Sequence, residues 1–279
     1  MPAAYRAAED LSARGQTRFR RWTVAALVLL VAVAVLGLVD ESWAGWAAAA
    51  AFAASVVLTG LTVVRNAEDD WYDGRAVAES AKTLTWKYAV GGEPYGVADG
   101  EAADDYRRTL GEVVDELRAI RSAIEVPAEP DDLGALTELR GAPLAERRAA
   151  YRQQRLEEQR GWYQRRGNDH RRSARTWQGV AVGLEAAGVA AGALKGLDVV
   201  DLDLLSVFAA AAAGVLAWLA AGDFQKTARA YGLTTLELDG TLEAAKQVGS
   251  EEEWARFVAD AEQTMSREHT TWLARRRGP

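Results

Sequence analysis

Two long apolar stretches, Trp22 to Val39 and Trp43 to Val64, are separated only by Asp40, Glu41 and Ser42. Neither stretch holds an Asp, Glu, Lys or Arg. A helix of about 20 residues reaches about 30 Å, the hydrocarbon thickness of a bilayer. Three intervening residues force an antiparallel return, so the pattern predicts a transmembrane helical hairpin. A second pair, Trp177 to Leu194 and Leu204 to Ala221, repeats it. The last of these is uncharged. The third, WQGVAVGLEAAGVAAGAL, is rich in Ala and Gly and carries Glu185 near its middle. It reads either as a span or as a buried helix of a soluble bundle. The polar lead before Trp22 and the length of the first apolar run exceed those of a cleaved signal, so a retained membrane helix is expected.

Elsewhere the polar segments carry helical periodicity. Amphipathic helices are expected after each hairpin, roughly Glu68 to Tyr88 and Phe224 to Ala245, the latter with Gly232 and Gly240 as points of interruption. Gly91-Gly92-Glu93-Pro94 breaks the chain. Leu110, Val113, Val114, Leu117, Ile120 and Ile124 share one face of a helix over Tyr106 to Glu125, which Pro127 and Pro130 end. Arg140 to Arg175 has good helix formers and few large apolar residues, as in a solvated or membrane-proximal helix. Ser250-Glu251-Glu252-Glu253 has the form of an N-cap with acids in the first turn, followed by Trp254, Phe257, Val258 and Ala261 on one face. The expected fold class is all-α: an integral membrane protein with four transmembrane helices as two hairpins and cytoplasmic helical extensions. The divisions are 1–21 (N-terminal segment), 22–95 (first hairpin and following helix), 96–150 (helical connector), 151–249 (basic lead, second hairpin and following helix) and 250–279 (C-terminal helix).

Charge orients the hairpins. Arg14, Arg18, Arg20 and Arg21 precede the first span, Arg65 follows the second, and Lys226 and Arg229 follow the fourth. The 279-residue chain holds eleven Arg against four acids in residues 140–176. The short turns are acidic. The positive-inside bias therefore places both termini and the central segment in the cytoplasm. Trp22, Trp43, Trp46, Trp177 and Trp218 sit near span ends, where indoles anchor at headgroups, although the same residues also suit a soluble core. The net charge of −7 argues against nucleic acid as a partner. With no cysteine, thiolate chemistry is excluded, and with only His170 and His269 neither a zinc site nor Ser-His-Asp chemistry is expected. No metal, cofactor or catalytic residue is expected, and enzyme activity is not either.

Glu185 is the sharpest candidate, because a mid-bilayer carboxylate is costly unless it faces a bundle interior or a water path. It either lines a cation pathway or bonds to a neighbouring helix. Arg75, Glu79 and Lys82 fall near one helix face with Trp86, as a coupling element or as a solvated face. Arg165, Arg166, Arg171, Arg172 and Arg175 suit anionic lipid headgroups, beyond their topogenic role. Asp40, Glu41, Asp198, Asp201 and Asp203 form either an outer acidic vestibule or ordinary polar turns. Gly188 and Gly192 stand four apart, as do Gly179 and Gly183, and favour close helix packing.

The run Trp71-Tyr72-Asp73-Gly74-Arg75-Ala76-Val77-Ala78-Glu79-Ser80-Ala81-Lys82-Thr83-Leu84-Thr85-Trp86-Lys87-Tyr88 directly follows a hairpin. It resembles the corresponding helix of SLATT proteins, bacterial two-transmembrane modules associated with SMODS nucleotidyltransferases and SLOG nucleotide sensors. Arg75, Ala78-Glu79-Ser80 with Lys82, and Trp86 with Tyr88 carry the resemblance. Asp223 to Tyr231 lacks an obvious counterpart of Ala-Glu-Ser-x-Lys. The resemblance implies a tandem, multi-pass protein of the bacterial inner membrane that oligomerises. It also implies pore formation or membrane perturbation in a conflict or antiphage system, under a nucleotide signal or a sensor partner. Two other readings remain: a non-conducting scaffold that recruits a cytoplasmic partner through residues 101–176, and a small channel or transporter using Glu185.

Overall fold

A computed structural model describes residues 1–64, 67–120 and 133–276. Among these the chain is helical throughout: α1 (Ala3–Leu36), α2 (Ser42–Val64), α3 (Ala67–Val90), α4 (Ala102–Ile120), α5 (Gly134–Gly141), α6 (Leu144–Tyr151), a π-helical stretch (Arg152–Glu157), α7 (Glu158–Gly196), α8 (Leu204–Gly222), α9 (Phe224–Ala244) and α10 (Glu251–Arg276). The chain forms two compact units. A polar unit takes 1–15, 69–164 and 232–279, and an apolar unit takes 16–68 and 165–231. Each apolar stretch lies in a helix long and apolar enough to cross a bilayer, four in all among the described residues.

In the apolar unit, α1 and α2 form the first hairpin and α7 and α8 the second. Ser55 in α2 donates its hydroxyl to the Ala26 carbonyl at 3.3 Å, which satisfies a polar group that lipid cannot. Gly188 and Gly192 face Leu205 and Phe208 of α8, and a Cβ on Gly188 would meet Phe208 at 3.4 Å. This is where the four-residue glycine spacing is used. Gly179 and Gly183 face open space. Large apolar side chains point outward: Trp46 is 80% exposed, Val189 73% and Val182 64%. A water-soluble bundle would bury them, whereas lipid solvates them. The third stretch is therefore not the buried helix of a soluble core, and Trp43, Trp46 and Trp177 are outward-facing rather than core residues. At the end of α7 the Val199 amide reaches back to the Leu194 carbonyl at 3.0 Å, with Asp198 left-handed at φ 55°. An acid that tolerates this conformation closes the helix.

The polar unit is organised around α3. Gly74 lets the start of α1 approach closely: a Cβ there would stand 2.8 Å from both the Ala8 carbonyl and the Ser12 amide. Ala4, Ala8, Val77, Ala78 and Ala81 pack at this crossing, and Tyr88, Tyr95 and Tyr106 join the same core. Tyr88 stacks on Tyr106 with centroids 4.6 Å apart. The expected break after α3 falls at Gly91, whose φ of +75° suits glycine, and at Gly92, where a Cβ would meet Val258 Cγ1 at 2.4 Å. Two arginines cap the carbonyl end of α3. Arg147 donates to Val90 O at 2.8 Å, and Arg140 donates to Tyr88 O at 2.9 Å and Tyr95 O at 2.8 Å. Cations at a helix C-terminus meet both its orphan carbonyls and its negative dipole end.

α9 runs unbroken through Gly232 and Gly240. Helix α4 carries Leu110 and Val113 inward; Ile124, Pro127 and Pro130 lie outside the described residues. Ser250 and Glu253 form a reciprocal capping box, with the Glu253 amide donating to Ser250 Oγ and the Ser250 amide to Glu253 Oε2. The Arg140–Arg175 segment departs from a solvated helix. Arg147, Tyr151, Arg155, Leu156, Gln159 and Tyr163 are buried, because carboxylates and carbonyls distant in sequence satisfy the arginines.

Candidate functional site at the junction of the two repeats

The four side chains Arg75, Glu79, Lys82 and Trp86 recur every three or four residues and so form one stripe on α3. In the polar unit that stripe lies against the segment Tyr151–Trp162. The Arg75 guanidinium sits 4.9 Å from the Trp162 ring centroid. Glu79 Oε2 lies 3.9 Å from Arg155 Nη1, Lys82 donates to Gln159 Oε1 at 3.2 Å, and Trp86 meets Tyr151 edge-on at 5.9 Å. The face is an interhelical contact, not a solvated surface.

At its centre lies a fully buried ion pair. Arg155 donates through Nε to Glu262 Oε1 at 2.9 Å and through Nη2 to Oε2 at 2.7 Å, a bidentate fork. Glu262 is further satisfied by Tyr151 at 2.9 Å and Thr83 at 2.8 Å. Both charged side chains are 0% exposed. Burial works against the Arg155 charge, but the charge and hydrogen bonds of Glu262, with Glu79 beyond it, raise its pKa further and fix it as a cation. Burial first, and then the Glu262 charge, push the Tyr151 hydroxyl well above its ordinary range, so it stays a donor. Burial and the neighbouring Arg155 lower the Lys82 pKa, with Glu79 opposing. Tyr5, from the start of α1, is pushed up to about 12 by burial and by Glu9 and Glu79.

The π-helical stretch explains how Arg155 reaches this position. It widens the helix by one residue per turn between Tyr151 and Glu158, and such turns cluster at functional sites. Arg155 and Leu156 are its buried residues. Among the described residues, Arg155 Nη1 and Trp86 Nε1 at this site find no hydrogen-bond partner. The arrangement has the composition of a latch: the Arg155–Glu262 pair with Glu79 beside it, Lys82 on Gln159 and Arg75 on Trp162, among aromatic rings. Arg155, Glu262, Tyr151 and Arg147 carried no sequence signal. Their polar neighbours resemble a solvated helix, and Glu262 stands over one hundred residues from Arg155.

The other sequence candidates do not meet at this site. Glu185 is exposed on the same face of α7 as Val182 and Val189. Arg165, Arg166, Arg171, Arg172 and Arg175 are all exposed on α7. Arg160, from the same basic run, pairs instead with Asp239 of α9. Asp40, Glu41, Asp198 and Asp201 are exposed in the short turns. Asp203 accepts from Ser206 at 2.5 Å and lies 3.7 Å from Lys195; the Ser206 bond first, then Lys195, lowers its pKa.

Comparison with known proteins follows the same division of the chain. Residues 2–148 match the family model SMODS and SLOG-associating 2TM effector domain 3, and residues 151–272 match SMODS and SLOG-associating 2TM effector domain 1. No curated protein and no solved structure matches the chain. In these terms α3 belongs to the first match and Tyr151, Arg155 and Glu262 to the second, so the buried latch joins two effector domains. The chain belongs to the SLATT family, as a multi-pass membrane protein with two such domains in tandem.

Proposed function

We propose that the chain is a non-enzymatic membrane effector that assembles into oligomers and opens an ion path, or breaches the bilayer, in a bacterial conflict or antiphage response. In this reading both termini and the polar unit lie in the cytoplasm of the inner membrane. A nucleotide signal or a sensor protein acts on the polar unit, and the latch between the two domains transmits that input toward the spans. The exposed α7 arginines meet anionic headgroups.

One observation carries the conducting step. Glu185 lies in a helix apolar enough to cross a bilayer, yet on its outward face between Val182 and Val189. A carboxylate facing hydrocarbon costs several kcal/mol, roughly 3 by insertion scales, unless another surface or water covers it. Assembly of several copies around these faces removes that cost and lines a path with carboxylates.

Purified protein in liposomes tests the reading. Cation flux on addition of candidate nucleotide signals is expected, and Glu185→Gln is expected to lower it at least about tenfold, since a ring of charges sets cation occupancy. Absence of flux under every trigger, or equal flux from the Gln variant, removes the Glu185 path.

A further inference from the structure

The stripe of α3 that binds the second domain has a counterpart on α9. Both helices follow a hairpin, and both contain a glycine followed five residues later by a glutamate: Gly74 and Glu79 in α3, Gly232 and Glu237 in α9. With Gly74 set on Gly232, the four contact residues Arg75, Glu79, Lys82 and Trp86 fall on Leu233, Glu237, Gly240 and Ala244, and Ala78 falls on Leu236. The alignment is supported by the opposite face. Asp239, which pairs with Arg160 of its own domain's lead, falls on Ala81, which lies in the core with Ala4 and Ala8 of the first domain's lead.

In α3 this stripe is covered. In α9 it is bare among the described residues. Leu233 is 63% exposed and Leu236 68%, Glu237, Gly240 and Ala244 are exposed, and a Cβ on Gly240 would meet nothing within 4 Å. The helix buries its other side, with Ala228 and Leu238 each 2% exposed. The exposed side is therefore not a neutral surface. Where α3 has Arg75, Ala78 and Lys82, α9 has two leucines and a glycine, the composition of a close helix contact.

We infer that the stripe Leu233-Leu236-Glu237-Gly240 of α9 docks a second copy of this chain, through the lead that opens its α1. The occupant follows from the internal junction. There the stripe of one domain holds the lead of the other, Tyr151–Trp162. The equivalent lead of the first domain is the start of α1, which exposes Arg6. Arg6 meets Glu237 in this contact as Arg155 meets Glu79. The contact is head-to-tail, with different surfaces on the two copies, so repeated use closes a ring or extends a filament. This deepens the proposed function, which needs several copies, but its test reads assembly and not flux.

The test places a photoreactive benzoyl-phenylalanine at Leu236 of the full chain in membranes. Irradiation is expected to give an adduct of two chain masses whose linked peptide lies within residues 3–15 of the other copy. Adducts to lipid alone, or to no second copy, overturn the surface and assign these leucines to the bilayer. Independently, Leu233→Glu with Leu236→Glu is expected to reduce the assembled fraction in detergent about tenfold or more with an unchanged melting temperature, since central apolar contacts dominate such interfaces. Unchanged assembly overturns the inference. If the double variant does not fold, the photo-adduct decides. Assembly through this face without flux discards the pore alone, and flux without it discards the face alone.

Discussion

At the scale of single residues, the polar unit depends on charges placed where water is excluded. Arg155 and Glu262 are retained inside because every strong hydrogen-bonding direction of the carboxylate is used: two from Arg155, one from Tyr151 and one from Thr83. A buried pair of this kind adds little net stability over apolar residues of equal volume, yet removing one member leaves the other uncompensated. Glu262→Ala is accordingly expected to destabilise the polar unit by about 3–5 kcal/mol. Thermal unfolding in detergent, followed by the fluorescence of Trp254 and Trp86, reads this loss; a change within the noise of the measurement contradicts the latch. Arg147 shows the same logic with other partners. Its guanidinium donates to Val90 and Ala142 carbonyls and pairs with Glu251, so an arginine that looks surface-bound in sequence closes the end of a helix.

At the scale of elements, α3 touches the start of α1, α4, the Tyr151–Trp162 segment and α10, and its ending is as constrained as its length. Gly92 stands where Val258 of α10 crosses, and the Glu93 amide donates to the Ala255 carbonyl of α10 at 2.9 Å. Gly92→Ala puts a methyl group into this crossing and is expected to cost about 1–3 kcal/mol by overpacking. The same substitution at Gly45, which faces open space in α2, is expected to have no such cost. The melting temperatures of the two variants compare them directly. The element pattern was largely legible: the hairpins, the break at Gly91-Gly92 and the capping box at Ser250 each follow from local rules of hydrophobic length, backbone freedom and capping. The unbroken α9 was not. Glycine costs a helix only about 1 kcal/mol, and packing of Ala228 and Leu238 on the buried side outweighs it.

At the scale of the whole molecule, two effector domains are held by a contact that lies outside the spans. Residues of the first domain (Glu79, Lys82, Thr83, Trp86) and of the second (Tyr151, Arg155, Gln159, Glu262) interlock. The proposed topology rests on the distribution of arginine, which favours the side holding both termini. The chain has no cysteine, so introduced ones report cleanly. An impermeant maleimide is expected to label Asp201→Cys in intact spheroplasts and Ser250→Cys only after lysis. The reverse pattern inverts the topology and places the polar unit outside the cell.

Hydrophobic length and charge asymmetry are properties of contiguous segments, and the chain alone therefore determined that there are four spans, two hairpins and an all-helical fold. Motif spacing on a single helix likewise singled out Arg75, Glu79, Lys82 and Trp86 as one stripe. What that stripe binds was decided only in three dimensions. Its partners come from Tyr151–Trp162 and from Glu262, separated by long stretches of chain, and their burial depends on satisfying every charge at once. Glu185 shows the same divide. Its position within an apolar run is a fact of sequence, but its outward direction depends on which face Gly188 and Gly192 turn toward α8, and only helix packing sets that.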